Sequence, residues 1–568
     1  MTALFTYNLP LLAGAPNGIK KLRGLILELA VRGKLVPQDP NDEPARELLK
    51  RIAEEKTRLV ADGKIKTLKL IEELPNLEGL SSLPSSWRWV RFGEIAQHNS
   101  GKTLDKGRNT GIYRDYITTS NLYWGRFELD NVKQMLIRED ELDKCTATKN
   151  DLLICEGGEA GRAAVWEQNK EICFQNHVHR ARLYGNVSPH YAQRFFEKIN
   201  ASGEISQYRK GIGISNMSSK ALASITFPLP PLAEQHRIVA KVDELMTLCD
   251  RLEVQQADAE NAHAQLVQAL LDSLTQACDA NDFATNWQRL AEHFHTLFIT
   301  ERSIDALKQT LLQLAVMGKL VPQAPSDEPA NELLRRINEE RSRLVAAGQL
   351  KKQKQLGGVT DNEQCFPPPN GWAWTRFGAT VKSLNNGLYK PAGFYTDSGV
   401  ISLRMYNIQD GAIVFSDIRR VNIDDDEIDQ YRLQAGDLLI NRVNSKDLVG
   451  KTAVIPGIDE PLVYESMNMR ARPFVGFVDS LYLNLFMRTR LAKDTLLSHA
   501  KEAIGQASLN QGQISSLAIP LPPLAEQHRI VAKVDQLMAL CEQLKTRICQ
   551  AQQLNERLAS TLVKQAVA

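Results

Sequence analysis

The sequence lacks the features that identify several classes of protein. No apolar run approaches the about 20 residues that a membrane-spanning helix requires, and the mean hydropathy is −0.29. The amino terminus has no basic start followed by an apolar core and a small-residue cleavage site, so we expect no signal peptide. The eight cysteines are scattered, which favours reduced thiols over a disulfide framework. These absences predict a cytoplasmic protein without a membrane role.

An excess of charge of one sign is also absent. Lysine and arginine number 69 and aspartate and glutamate 67, for a net charge of +2. Such a balance argues against indiscriminate binding of nucleic acid, although it leaves open a local basic groove. With 43% hydrophobic and 24% charged residues, the composition is that of a globular protein.

The sequence does contain an internal duplication. The segment PLPPLAEQHRIVAKVD occurs at 228–243 and again at 520–535, and LAVRGKLVPQ at 29–38 returns as LAVMGKLVPQ at 314–323. The aromatic pair Trp87 and Trp89 recurs as Trp372 and Trp374. A period of 285 to 292 residues is too long for a solenoid. The chain is therefore predicted to hold two units of similar length.

A long helical arm is predicted after each copy of the Pro-Pro motif. Apolar residues follow at alternating spacings of four and three, which is typical of a coiled-coil seam. An arm of roughly 40 residues would be about 60 Å long. His263 and Asn555 hold equivalent polar positions, where they either fix the register or lie near a wet edge. The predicted seam includes Ile238, Val242, Leu245, Cys249, Leu252, Leu266 and Leu270 in the earlier arm and Ile530, Val534, Leu537, Cys541, Leu544, Ile548, Leu558 and Leu562 in the later one.

A second repeated arm, near 19–60 and 304–345, is predicted to be a helical hairpin. Gly33 ends its first helix, Asp42 is expected to cap the second, and Pro44 lies in the first turn of that helix. The equivalent residues 285 positions later predict the same hairpin.

Two blocks, 84–227 and 366–519, lie between the arms and agree poorly in sequence. Their skeleton still matches, because DLLI at 151–154 returns at 437–440, followed each time by a polar turn and a short apolar strand. Mixed strand and helix signals predict an α+β domain in each block. The predicted boundaries are 1–83, 84–227, 228–365, 366–519 and 520–568.

The combined motifs resemble the specificity subunits of type I restriction–modification systems. The resemblance rests on the two PLPPLAEQHRIV segments, the WxWxRFG openings of the blocks, the DLLI turns and the alternating order of arms and blocks, and it covers nearly the whole chain. It implies an α+β fold with two globular target-recognition domains, separated by two long antiparallel coiled-coil arms in a circular pseudo-two-fold repeat. Each domain would read one half of a split site in double-stranded DNA.

The same resemblance implies partners and assigns catalysis to them. Two adenine methyltransferase subunits, which use S-adenosylmethionine, would dock along the arms, and motor-nuclease subunits, which use ATP and Mg²⁺, would join them. No cofactor is expected in this chain. The expected partner-binding residues are Glu234, Gln235, Arg237, Glu526, Gln527 and Arg529.

Candidate DNA contacts are residues whose side chains can read base edges. Arginine and lysine suit guanine, asparagine and glutamine suit adenine, and hydroxyl groups suit either. For each residue, surface solvation or phosphate contact is the alternative. The first block offers Lys102, Lys106, Arg108, Asn109, Thr119, Asn121, Arg162, Asn176, Arg209, Lys210, Ser215 and Asn216. The second offers Asn386, Lys390, Arg404, Asn407, Arg442, Asn444, Ser445, Lys446, Asn468, Gln506, Ser508 and Asn510.

Other functions have weaker support in the sequence. The two GKT triplets, at 101–103 and 450–452, lack the preceding glycine of a phosphate-binding loop. Cys173, His177 and His179 lack a fourth zinc ligand and suit an ordinary strand. Trp87 and Trp89 fit core packing better than base stacking. The main alternative is a coiled-coil scaffold that binds proteins and no DNA, and a bifunctional enzyme with unfamiliar active sites is the third.

Overall fold

The computed structural model describes residues 12–65, 82–105, 107, 109–210, 215–278, 280–352, 356–503 and 505–567. The chain divides into two compact units, one made of Met1–Ala259 with Ala551–Ala568 and one of Glu260–Gln550. The end of the C-terminal helix therefore belongs to the first unit and the end of the central helix to the second. This is the circular repeat that the motif order predicts. Among the described residues, no helix is both long and apolar enough to cross a membrane.

Two long helices confirm the predicted arms. The central helix is Leu232–Gln276, with 45 residues, and the C-terminal helix is Leu524–Val567, with 44. At 1.5 Å per residue, each is about 66 Å long. His263 is half-buried, with its Nε2 3.2 Å from the carbonyl oxygen of Thr296. Asn555 is exposed, which fits the interpretation that this position lies near a wet edge.

The buried stripe of each long helix departs from the predicted seam toward its end. Leu266 and Leu558 are 54% and 44% exposed, whereas Val267 and Ala559, one residue later, are only 2% and 0% exposed. An untwisted α-helix drifts by about 20° per heptad from a 3.5-residue repeat. About four heptads after Ile238, this drift approaches the roughly 100° that separates neighbouring residues. The prediction for Leu266 and Leu558 was wrong for this reason.

Each unit has the predicted helical hairpin, formed by Gly18–Val31 and Ala45–Ala61 in the first and by Glu301–Val316 and Ala330–Ala346 in the second. Gly33 has φ +66° and Gly318 φ +68° where the first helices end. The predicted cap was wrong. Pro44 occupies the N-cap position without a side-chain cap, and the Asp42 carboxylate instead accepts hydrogen bonds from the Arg237 guanidinium. Two further helices, Ala280–Glu292 and Phe294–Leu297, precede the second hairpin.

The sheet domain of the first unit contains two four-stranded sheets. One is antiparallel, in the order Ala163–Val165, Leu152–Cys155, Val178–Leu183 and Ala96–Ser100. The other has the order Lys133–Ile137, Ile112–Ile117, Ile172–Phe174 and Thr146–Ala147. Arg88–Arg91 pairs with Thr226–Leu229 at the junction with the arm, and the helix Pro189–Ala201 packs on the core. Shorter elements are Phe92–Ile95, Leu122–Tyr123, Arg126–Phe127, Glu139–Glu141, Leu142–Cys145, Gly157–Gly158, Glu204–Tyr208, Ser215–Asn216 and Ser219–Ala223.

The sheet domain of the second unit repeats this frame, as the α+β prediction requires. Its antiparallel sheet has the order Val381–Asn386, Asn468–Pro473, Leu438–Asn441 and Thr452–Val454, and its mixed sheet the order Tyr395–Thr396, Arg419–Val421, Val400–Leu403 and Leu462–Tyr464. Ala373–Arg376 pairs with Ala518–Leu521. Remaining elements are Asp361–Glu363, Phe377–Thr380, Ala392–Phe394, Met405–Asn407, Ile408–Gln409, Ala412–Ile413, Asp425–Tyr431, Val443–Asn444, Ser480–Met487, Arg490–His499, Lys501–Ala503, Gln506–Ser508 and Gln511–Ser516.

A buried ion pair explains the aspartate of both DLLI segments. Asp151 is 1% exposed and Asp437 2%. Arg182 donates to the two carboxylate oxygens of Asp151 at 2.8 and 2.7 Å, and Arg472 does the same to Asp437 at 2.8 and 2.7 Å. Because these bidentate pairs tie two strands of the antiparallel sheet together, each aspartate has a structural role.

Candidate nucleic-acid interface

Four loops of the first unit meet beyond the strand ends Ser100 and Phe174. The Lys102 N–H donates to the Phe174 carbonyl at 3.0 Å, and the Glu156 N–H donates to the His177 carbonyl at 2.8 Å. Gly157–Gly158 pairs with Ser215–Asn216. We call this surface, formed by residues 101–105, 156–158, 175–177 and 215–217, the first face.

The equivalent loops of the second unit form a matching surface. The Leu388 N–H donates to the Tyr464 carbonyl, the Ser466 N–H to the Leu388 carbonyl and the Arg442 N–H to the Met467 carbonyl, each at 2.8 Å. Val443–Asn444 pairs with Gln506–Ser508. We call residues 387–390, 442–445, 465–467 and 506–509 the second face.

A glycine permits the close approach of two loops in each face. A Cβ at Gly101 would lie 2.1 Å from the Phe174 carbonyl oxygen, and one at Gly387 would lie 2.2 Å from that of Glu465. Any other residue would force these backbones apart. The two units therefore build the same loop frame and differ mainly in the side chains that they place on it.

Several predicted contact residues lie on or beside these faces with accessible side chains. Asn216 and Lys210 are exposed, and their backbones exchange two hydrogen bonds of 2.8 Å. Asn386 and Gln506 are exposed at the second face. The half-buried residues are Lys102, Asn109, Thr119, Asn176, Lys390, Asn444, Ser445 and Ser508, and Lys446 is exposed. Lys106 and Arg108 lie outside the described residues, and Ser215 is described only as part of its strand.

Three predicted asparagines point into the protein instead. Asn121, Asn407 and Asn468 are 5%, 1% and 0% exposed. The Asn121 side chain accepts from the Thr118 N–H at 3.0 Å, and Asn407 accepts from the Arg404 N–H at 2.9 Å. The amides of Asn121 and Asn407 close equivalent turns, and the Asn468 side chain accepts from the Asn441 amide at 3.2 Å, so we leave the three residues out of the proposed interface.

Two more predicted residues hold local structure. Asn510 is the N-cap of the helix Gln511–Ser516 and accepts from the Gln513 N–H at 2.9 Å. The Arg209 guanidinium donates to the Ala160 carbonyl at 2.8 Å. Their side chains are thus already engaged within the protein.

Four predicted cations at or beside the faces pair with acidic neighbours. Lys102 pairs with Glu141, and its ammonium lowers the pKa of the Glu141 carboxyl below the ordinary value. Lys390 lies 2.8 Å from Glu427. Two predicted arginines are also paired: Arg404 lies 2.7 Å from Glu465, and Arg162 lies 3.2 Å from Glu159. These four cations are thus held by carboxylates of their own unit.

Arg404 and Arg442 organise the second face. The Arg404 guanidinium lies 5.8 and 5.4 Å from the ring centroids of Tyr395 and Tyr406, and burial raises the pKa of Tyr395. Arg442 donates to the carbonyls of Ser466 at 3.1 Å and of Leu509 at 3.4 Å. Arg442 therefore ties two loops of the face together.

The sequence analysis missed Tyr389, whose side chain is 80% exposed at the second face. It follows Asn385, Asn386, Gly387 and Leu388. An aromatic residue inside such a turn-forming segment was the available signal, because turns seldom require a large apolar side chain.

The predicted partner-binding motif forms an internal joint between arm and sheet domain. Glu234 and Gln235 are 0% exposed. Glu234 accepts from the Trp87 indole at 2.8 Å, and Gln235 accepts from the Ser188 N–H at 2.8 Å. Trp87 is 1% exposed and lies edge-on to Tyr191, which confirms the core-packing interpretation of Trp87.

The joint recurs in the second unit through the equivalent glutamine and arginine. Glu526 and Gln527 are 1% and 0% exposed, and Gln527 accepts from the Asp479 N–H at 2.8 Å. Burial raises the pKa of Glu234 and of Glu526. The two motif arginines complete the joint, since Arg237 pairs with Asp42 and Arg529 with Asp327. These six side chains are thus engaged within their own unit.

Comparison with known proteins identifies the family. The family described as "Type I restriction modification DNA specificity domain" matches residues 84–259 and 425–552. The "Type I restriction enzyme EcoAI specificity subunit" of Escherichia coli is 37% identical over 559 residues, covering 97% of this chain and 94% of the relative. The EcoEI specificity subunit of the same species is 36% identical over 581 residues, with the same coverages. A crystal structure of the HsdS subunit from Thermoanaerobacter tengcongensis is 19% identical, covers 87% of this chain and 99% of that chain, and has a TM-score of 0.42. On the family match and the two relatives, the chain belongs to the specificity subunits of type I restriction–modification systems.

Proposed function

We propose that the chain reads a bipartite sequence in double-stranded DNA, one half with each face, and that it leaves catalysis to its partners. The observation that carries the proposal is one loop frame with unlike side chains. Asn176 in the first face corresponds to Ser466 in the second, and Thr103 corresponds to Tyr389, since Gly101 and Gly387 hold the same position. Equal frames with different donors and acceptors suit the reading of two different base sequences.

The ion pairs of the faces support selective binding. Free lysines and arginines attract any phosphate backbone, and this attraction is independent of sequence. Lys102 and Lys390 are each held by a carboxylate, so random DNA gains little from them. The recognition domains are proposed as residues 84–227 and 366–519, with helical regions at 1–83, 228–365 and 520–568.

Apolar residues repeated on the long helices support docking of two copies of one partner. Leu248 and Leu540 occupy equivalent positions and are 42% and 53% exposed, and Leu266 and Leu558 are likewise exposed. A single exposed leucine is ordinary on a surface, but recurrence at the same place on both arms favours contact with a shared partner. We assign them to two methyltransferase subunits that use S-adenosylmethionine, with restriction subunits that use ATP and Mg²⁺ joining the complex in the cytoplasm.

The test is a pair of face-specific substitutions in the complex with its partner subunits. Asn176→Ala should relax base preference in one half-site only, and Asn386→Ala in the other half only, as measured by selection from a random DNA library and by sequencing the methylation pattern of a host. Asn169→Ala, at an exposed asparagine in the turn between the strands Ala163–Val165 and Ile172–Phe174, is the matched control and should change neither half. Relaxation of both halves by one substitution, or binding without sequence preference, would contradict the proposal.

The arms are proposed to set the spacing between the half-sites. One heptad inserted after Ala259 lengthens the central helix by about 10.5 Å, close to three base pairs at about 3.4 Å each. Recognition should be abolished or the spacer should change. An unaltered bipartite site would show that the arms do not measure the distance.

A further inference from the structure

Tyr389 is the most exposed large apolar side chain among the residues that the structure describes, at 80%. It belongs to the second face, between Leu388 and Lys390. An isolated exposed leucine or valine is ordinary on a protein surface. An aromatic ring this exposed is less so, because rings of this kind commonly contact a ligand or partner.

Both neighbours of Tyr389 are held in place, Leu388 by its backbone and Lys390 by its side chain. Leu388 is 3% exposed, its N–H donates to the Tyr464 carbonyl at 2.8 Å, and its carbonyl accepts from the Ser466 N–H at 2.8 Å. On the other side, the Lys390 ammonium lies 2.8 Å from Glu427 and 4.7 Å from the centre of the Phe394 ring. The loop thus presents the ring in a preorganised position, so little backbone entropy is lost when it binds.

The first face has no such ring. Gly101 and Lys102 correspond to Gly387 and Leu388 in the two loop frames, so the residue equivalent to Tyr389 is Thr103, which is exposed. The exposed aromatic ring is therefore a property of the second face alone. Tyr389 directly follows Leu388, whose backbone anchors the loop.

We propose that Tyr389 inserts its ring against a base pair of the half-site that the second face reads and partly unstacks one base step. Apolar wedges between base steps kink duplex DNA, and the cost depends on the sequence of the step. The second half-site would then be selected partly by its deformability and the first by direct contacts alone. This inference rests on the proposed function, because it takes the second face as the side that meets DNA.

The experiment compares Tyr389→Ala and Tyr389→Phe with wild type in the full complex. On the bipartite site, Tyr389→Ala should weaken binding by roughly 10- to 100-fold, the range for loss of one aromatic–base stack, whereas random DNA should be bound as before. Tyr389→Phe should bind within about threefold of wild type, because the ring is retained. Tyr113→Ala is the matched control, a tyrosine 67% exposed on the strand Ile112–Ile117.

Permanganate probing of thymines gives a second readout. Wild type and Tyr389→Phe should show a reactive, unstacked step in the second half-site, distinct from the methylated adenines, and Tyr389→Ala should lack it. Equal reactivity in Tyr389→Ala, or unweakened binding, would overturn the wedge while leaving bipartite recognition intact. Loss of partner subunits from Tyr389→Ala would also overturn it and assign the ring to a protein contact. Absence of any sequence preference in the wild-type complex would instead refute the proposed function itself.

Discussion

Replacement of Gln235 by alanine should loosen the joint of the first unit and leave the second unit unchanged. The Gln235 side chain accepts from the Ser188 N–H at 2.8 Å and donates to the Pro230 carbonyl at 3.0 Å, and Gln235 itself is 0% exposed. The substitution leaves one buried N–H and one buried carbonyl without a partner, at about 1–3 kcal/mol each. Even the lower sum, about 2 kcal/mol, corresponds to a roughly 30-fold change in an opening equilibrium.

Hydrogen exchange followed by mass spectrometry reads each unit separately. Peptides from the helix Pro189–Ala201 should exchange at least about 30-fold faster in Gln235→Ala, because local opening governs their protection. Peptides from Ser480–Met487 should be unchanged. Gln527→Ala is the mirror-image control, since Gln527 accepts from the Asp479 N–H at 2.8 Å and donates to the Pro522 carbonyl at 2.9 Å.

Two results would refute this reasoning. Unchanged exchange in both variants would mean that the glutamine does not hold the joint. Accelerated exchange in both units from one substitution would mean that the effect is not local. Loss of methyltransferase subunits with normal exchange would instead favour the partner-binding role that the sequence predicted for Gln235.

Three further predictions follow from the ion pairs and buried carboxyls. Asp437→Asn should destabilise the second sheet domain by about 3 kcal/mol, because Arg472 loses its buried partner; unchanged exchange of the strand Leu438–Asn441 would contradict this. Burial raises the pKa of Glu234, so the stability contribution of this carboxyl is complete below its ordinary pKa and is lost as pH rises through the raised value. The melting temperature of wild type minus that of Glu234→Gln should therefore fall as the pH rises above 4.5, the ordinary pKa of the group, and a constant difference would count against a raised pKa. Glu427→Gln should release Lys390, tighten binding to all DNA and steepen the salt dependence by about 0.9; an identical slope would show that Lys390 does not meet phosphate.

The arrangement of helices and sheet domains was predictable because the sequence contains an internal duplication. The Pro-Pro motif located both long helices, and DLLI located equivalent strands. Periodic spacing of apolar residues can be read directly from a sequence, so the hairpins and the sheet domains could be predicted. The drift of the buried stripe to Val267 could not be predicted. It depends on whether the helix supercoils, and the packing partner of the helix determines that.

The contact residues were harder to predict because residue type does not determine direction. Asn121 and Asn176 have the same side chain and lie in similar turn-rich segments, yet Asn121 is 5% exposed and closes a turn while Asn176 is half-buried at the first face. Glu234 likewise looked like a surface charge, because its partner Trp87 is 147 residues away in the chain. Tertiary contacts of this range leave no local signal.

The joint has a consequence for how such proteins diversify. Gln235 and Gln527 each accept a hydrogen bond from a main-chain N–H of their sheet domain. This contact does not depend on the side chains that determine which bases the domain prefers. A recognition domain that carries the equivalent tryptophan and helix N-terminus should therefore pack against either arm. Recombination that exchanges a whole recognition domain would then create a new target sequence in a single event.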